Sequence, residues 1–300
     1  MSTTSDDAWQ PWSIAWYSVM CAIAAFNFAA AAYLFTKRKT NKLVPLAVIF
    51  IVVCGYRSVF PTLYLSNTCF MSGPQSNPFL ARMLAFVAEL CWIIQVSFSL
   101  MNANALVWGK GSHGRREVNM LCYFAILIIF CAECFSTIGT VTKNSLWFTL
   151  EEGSWVLTAV TCYTPALFTV YHDHARSLDP SPHPYLALYL KGFGVTLFIY
   201  DFWGVTMDVP SNYGRWVDEK DSDDTGWKTW TDGLDDIFNA CDYDRSYSTW
   251  STYLLWMTSY FSLCVWSSIL FALLSFGATI KAEQAAKTSS TIHEKLLAEP

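Results

Sequence analysis

The residues of this chain best suited to chemistry are carboxylates and arginines set within long apolar stretches. Arg57 stands in Tyr56-Arg57-Ser58-Val59-Phe60-Pro61, Glu89 in Ala88-Glu89-Leu90-Cys91-Trp92, and Glu133 between Ala132 and Cys134. Glu151 and Glu152 are adjacent, with Trp155 about one helical turn on. Asp201 and Asp208 lie seven apart, with Trp203 between them. An ionisable side chain in hydrocarbon is costly unless paired or hydrated, so each of these is a functional candidate.

Spacing places some of them together. Arg82 and Glu89 are also seven apart and share one face of a helix, with Gln95 one to two turns deeper. The six acids outnumber Arg57 and Arg82. Acids left over must be protonated, hydrated or bound to a cation. A carboxyl group held protonated is what a proton donor or relay requires. Glu89, Glu151, Glu152 and Asp201 are therefore the candidate catalytic groups. Arg57, Arg82, Trp92, Glu133, Trp155, Trp203 and Asp208 are expected to line the site and pair with them. The competing reading is a purely structural ion-pair network that locks the bundle.

The elements that must position these groups are apolar runs of about twenty residues, the length that crosses ~30 Å of hydrocarbon. The chain is 53% hydrophobic and 17% aromatic but only 14% charged, against roughly a quarter charged in soluble domains. The expected fold is an all-α integral membrane bundle of about seven helices: 12–36, 43–65, 80–107, 119–141, 147–171, 186–209 and 250–280. The first run follows Asp6 and Asp7 without a basic segment or cleavage pattern, so it reads as a retained helix and not a signal peptide.

Eleven basic residues, among them Lys37, Arg38, Lys39, Lys42, Arg115 and Arg116, follow the odd-numbered helices, and five lie in the opposite connections. That asymmetry predicts an outside N-terminus and a cytosolic C-terminus. At 1.5 Å per residue the acids then fall within ~14 Å of the outer boundary, which suits an acidic cavity open to the outer face. Residues 1–11 form a short outer tail, 12–280 the membrane domain, and 281–300 a cytosolic tail. Within the domain, the outer loop 211–249 is rich in Asp and interleaved with Trp216, Trp227, Trp230 and Tyr243, and reads as a partly folded cap.

Weaker motifs accompany these. Asp221, Asp223, Thr225 and Asp232 occupy positions one, three, five and twelve of a twelve-residue calcium loop, with Gly226 sixth. It departs from the pattern in ending on Asp, in carrying Lys228, and in lacking clear flanking helices. Calcium is the one cofactor the sequence suggests. Cys69 and Cys241, the two cysteines of outer loops, can form a disulfide. Cys131-x-x-Cys134 lies inside an apolar helix, where metal or redox chemistry is out of place, and His172-Asp173-His174, with His183 nearby, reads as a solvated loop. A retinal protein needs a lysine in its last helix, and 250–280 has none. The acidic-Arg-aromatic and Asn-Pro-x-x-Tyr signatures of G-protein-coupled receptors are likewise missing.

Three functions fit. The first is an enzyme for a sterol, isoprenoid or other lipid, isomerising or cyclising it by acid–base chemistry while tryptophan faces stabilise a cationic intermediate. The second is a proton- or cation-coupled transporter or channel, which requires the polar path to continue toward the cytosolic side. The third is a receptor-like or assembly protein that binds a ligand under the cap. Membrane lipids and a lipophilic small molecule are the expected partners, and nucleic acid is not. The expected location is the plasma membrane or an endomembrane.

Overall fold

The computed structural model describes residues 9–37, 41–108, 114–176, 185–222, 225–239 and 241–274. Helix α1 spans Pro11–Lys37 and α2 Val44–Val59. Helices α3 (Pro78–Val107) and α4 (Arg116–Thr142) follow. Helix α5 (Ser145–Thr158) runs through a π turn, Ala159–Tyr163, into α6 (Thr164–Arg176). Helix α7 (Leu186–Trp203) passes a second π turn, Gly204–Asp208, into α8 (Val209–Asp221). After α9 (Trp230–Asn239) and the short α10 (Tyr247–Trp250), α11 (Leu254–Ser259) runs through a third, Tyr260–Cys264, into α12 (Val265–Leu274).

Among the described residues, five helices are long and apolar enough to cross a membrane: Pro11–Lys37, Pro78–Val107, Arg116–Thr142, Leu186–Asp221 and Leu254–Leu274. Helix α2 is apolar but shorter, and the stretch carrying Glu151 and Glu152 is not among the five. The side chains that these helices turn outward are large and apolar, including Phe198, Leu188 and Leu255. An envelope of that kind suits lipid, because soluble surfaces rarely leave broad apolar patches uncovered. The chain has the helices of a membrane protein.

Helix α3 is the axis of the bundle. Of its apolar window 56% is buried, against 28–39% in the other four. Asn77 starts it by accepting from the Leu80 amide, with Pro78 in the first turn, where no backbone donor is needed. Its Val96 and Leu100 share one buried cluster with Ile129 of α4, and its Ala88 shares another with Phe50 and Ile51 of α2.

Two boundaries differ from the sequence expectation. Helix α2 stops at Val59, short of 65, because Pro61 disfavours helical backbone at the residue before it, and Phe60 leaves the helix at φ −121°. The next residues form a hairpin, β1 (Thr62–Leu63) with β2 (Thr68–Cys69). Conversely, the helix expected to end near 209 continues as α8 to Asp221, so the first part of the 211–249 segment is helical.

The rest of that segment folds as a cap. Strand β3 (Asp242–Tyr243) pairs in parallel with β2, and Cys69 and Cys241 form a disulfide. Asn77 donates to the Ile237 carbonyl at 2.6 Å, holding α9 beside the start of α3. The Arg245 guanidinium lies 3.7 Å from the centre of the Trp9 ring and donates to the Phe70 carbonyl.

Candidate functional site

Beneath the hairpin, α2, α3, α4 and α5 bring five charged side chains together. Arg57 Nη1 lies 3.2 Å from Glu89 Oε1. Arg82 Nη2 meets Glu133 Oε2 and stands 3.5 Å from Glu89 Oε2, while its Nη1 is 3.6 Å from Glu151 Oε1. All five are buried, and Glu133 is fully so. Oxygens of Glu89, Glu133 and Glu151 lie within 4.8 Å of one another, the one group among the described residues spaced to hold a metal ion.

Two tyrosines complete the arrangement. Tyr260, in the third π turn, donates to Glu89 Oε1 at 2.8 Å. Tyr64, at the turn of the hairpin, lies with its ring 5.8 Å from both guanidinium carbons. It forms a lid whose hydroxyl is buried without a partner. Neither was expected from sequence. Tyr64 falls inside the expected helix 43–65, and a lone tyrosine in an aromatic-rich helix carries no signal of its own.

Two arginines against three glutamates leave one formal negative charge in a site closed to solvent. Buried carboxylates without a cation are costly. Glu133 Oε1 has no hydrogen-bond partner at all. The arrangement therefore has room for one proton or one small cation, shared by three acids.

The other predicted residues lie apart. Glu152 and Asp208 are half-buried and near each other, outside the ion pairs. Asp201, expected to act with Glu89, makes no ion pair or hydrogen bond with the cluster, and its Oδ1 is buried without a partner. Trp203 is 37% exposed on the apolar envelope. Trp92 stacks on Phe50 at 5.5 Å and meets Trp155 at 5.9 Å, and Trp155 meets Tyr200 edge-on.

Polar groups continue along α3. Gln95 donates to the Ser268 carbonyl at 2.7 Å and accepts from the Ser268 hydroxyl at 2.5 Å. The Ser97 and Tyr163 hydroxyls share a hydrogen bond of 2.7 Å, and Tyr189 lies beside Ser99. Asn104 donates to Asn119 and to the Arg115 carbonyl. Gln95, Ser97, Ser99 and Asn104 are all buried. The three π turns contain Tyr163, Asp208 and Tyr260. Such turns recur at functional sites because they re-aim side chains out of helical register.

The remaining motifs have plainer surroundings. Asp221 ends α8 and Asp232 falls in the first turn of α9, so helices do flank the calcium-like loop. Gly226 takes a left-handed φ of +64°, and Asp232 accepts from Thr229. Asp223 lies outside the described residues, as do His183 and the 281–300 tail. His172, Asp173 and His174 lie in helix α6 and not in the expected loop, and Asp173 is held by Arg115 through two hydrogen bonds of 2.6 and 2.9 Å and by the Trp108 indole at 3.1 Å. Its carboxyl is thereby kept below the usual carboxylate range. Cys131 and Cys134 are free thiols.

No protein-family model matches the chain, and neither does a curated protein or a solved structure.

Proposed function

We propose that this is a membrane transport protein in which the Glu89–Glu133–Glu151 cluster takes up a proton or small cation. In this reading seven helical segments cross the membrane, the N-terminus and cap face outside, and helix α3 carries the ion's path inward. The observation that bears most weight is the run of buried polar pairs on α3 beyond Glu89: Gln95 with Ser268, Ser97 with Tyr163, Ser99 with Tyr189, and Asn104 with Asn119. A continuing polar path is what transport requires and what a self-contained ion-pair lock does not need. From Arg82 to Asn104 the helix rises ~33 Å, about the thickness of the hydrocarbon core. The closed Tyr64 lid makes this the occluded state of such a path.

The test is ion flux in proteoliposomes, read with a pH-sensitive dye inside. Wild-type vesicles are expected to acidify under an imposed gradient, with Glu89→Gln and Gln95→Leu both slowing the flux. Equal leak from empty and protein-containing vesicles, across protons and alkali cations, sinks the proposal.

A second reading has its own observation. The row Phe50, Trp92, Trp155 and Tyr200 beside Glu152 would suit an enzyme that stabilises a cationic intermediate of a lipophilic substrate. Lipid profiling of cells with and without the intact gene separates the two, since only the enzyme leaves one precursor accumulating.

A further inference from the structure

The cap encloses a second polar site that belongs neither to the cluster nor to the α3 seam. It is a pocket of about 320 Å³ where the hairpin, the α4–α5 turn, α8, the α8–α9 loop, α9 and β3 converge. Its lining includes Asn67, Lys143, Glu219, Lys228, Asp236 and Asp242.

The backbone around it is unusual. Among the described residues only two that are not glycine adopt a left-handed φ, Asn67 at 54° and Lys143 at 55°, and both line this pocket. Gly226, also left-handed, lines it too. Asparagine tolerates that region, whereas lysine pays ~1–2 kcal/mol for it. Strain of this kind gathers at ligand clamps and switch points.

The side chains show what is lacking. Both Glu219 oxygens are engaged, by the Ser145 amide and hydroxyl and by the Trp227 indole. Asp236 pairs with Lys228 at 2.7 Å and reaches Lys143 at 4.0 Å. Asp242 lies exposed at the rim. The Lys143 side chain is 7% exposed, and its ammonium makes one hydrogen bond of normal length, 2.8 Å to the Tyr64 carbonyl. An ammonium has three donors. Three carboxylates thus face two lysines around the pocket, but with Glu219 and Asp236 already engaged the buried Lys143 ammonium is left short of near acceptors. We propose that the pocket binds an oxyanion, a phosphate or carboxylate group, which Lys143 holds with Lys228 at its side. The group belongs either to a lipid headgroup at the membrane surface or to a free solute.

Burial, reinforced by Lys228, pushes the Lys143 ammonium down to about 8, while Asp236 and Asp242 oppose the shift. The Lys143 amine is thereby easier to deprotonate than an ordinary lysine's. A bound oxyanion restores the charge and covers it.

The experiment is a brief amine-labelling pulse on the full-length protein in nanodiscs, with Lys143 and Lys220 quantified by mass spectrometry. One arm adds inorganic phosphate at constant ionic strength over zwitterionic lipid. The other replaces part of that lipid with phosphatidylglycerol and adds no phosphate. At about ten times its Kd a ligand leaves roughly one site in eleven free, so Lys143 labelling should slow about tenfold while Lys220 is unchanged. Protection by phosphate identifies a free solute, and protection by the anionic lipid alone identifies a headgroup. Protection in neither arm overturns the proposal. Lys143→Asn suits the left-handed backbone and removes the ammonium. It should melt as a folded protein yet lose the rise in Tm that the protecting ligand gives the wild type. A rise that persists in this variant also overturns the assignment.

Discussion

Replacing Arg82 with Met tests whether the buried glutamates depend on one guanidinium. Arg82 is the sole cation within 4 Å of Glu133 and of Glu151 among the described residues, while Arg57 reaches only Glu89. Methionine keeps an unbranched apolar stem but leaves the fully buried Glu133 without a counter-charge. Removing one partner of a buried ion pair costs about 3–5 kcal/mol. At roughly 2–4 °C per kcal/mol for a chain of this order of size, the melting midpoint should fall by about 6–20 °C. A thiol-reactive dye reports the transition, because Cys54, Cys122 and Cys162 are buried free thiols that become reactive only on unfolding. The double variant Arg82→Met/Glu133→Gln removes the stranded charge and should recover part of the loss, with a coupling of ~0.5–3 kcal/mol. A cooperative melt within about 2 °C of wild type for the single variant would falsify the reasoning. It would mean that the glutamates are held neutral by protons and need no arginine.

Two further outcomes follow from the cap and the opposite end of the bundle. A Cβ at Gly233 would run into the Val141 carbonyl, which cannot swing away as a side chain can. Gly233→Ala should therefore cost ~1–3 kcal/mol and lift α9 from α4, seen as faster hydrogen exchange over 230–239; unchanged exchange there refutes the contact. Asp173 lies beyond the apolar stretch and is held below its ordinary pKa, first by the hydrogen bond from Arg115. Its contribution is present above the unfolded value, roughly 3.9, and is lost as pH falls through the folded value. Melts between about pH 5 and pH 3 should thus show wild type losing stability that Asp173→Asn never had; parallel curves would refute the pairing.

Most of the bundle was legible because lipid imposes a crude and uniform demand. Runs such as 80–107 and 119–141 are long and apolar, and the structure places α3 and α4 within a few residues of them. The errors fall at prolines. Pro61 ends α2 early, whereas Pro210, one residue past the expected helix end at 209, lies inside α8 just past a π turn. Nothing in the composition of 204–208 announces a π turn, and strands of two residues are too short to leave an alternating pattern. The cap could be read as folded from its aromatics, but β3 meets β2 from far along the chain, as the 172 positions between Cys69 and Cys241 show, and no local spacing registers such a pairing.

The site was legible in its charges and not in its geometry. Helical spacing placed Arg82 and Glu89 on one face, and the surplus of acids over arginines is present in the folded cluster. Spacing could not separate Asp201 from Glu133. Both are acids in apolar helices, yet Glu133 points at the α3 axis while Asp201 makes no ion pair with the cluster. The period of a helix gives relative direction within one element, and only packing between elements fixes which face turns inward. The expected open cavity differs for a similar reason. Phe60-Pro61 turns the chain back over the acids and brings Tyr64 across both guanidinium groups. The same tyrosine's carbonyl receives the Lys143 ammonium. An oxyanion that draws Lys143 away would release the backbone of the lid directly above Arg57 and Arg82. Access to the buried glutamates would then depend on occupancy of the cap pocket, because one residue serves both.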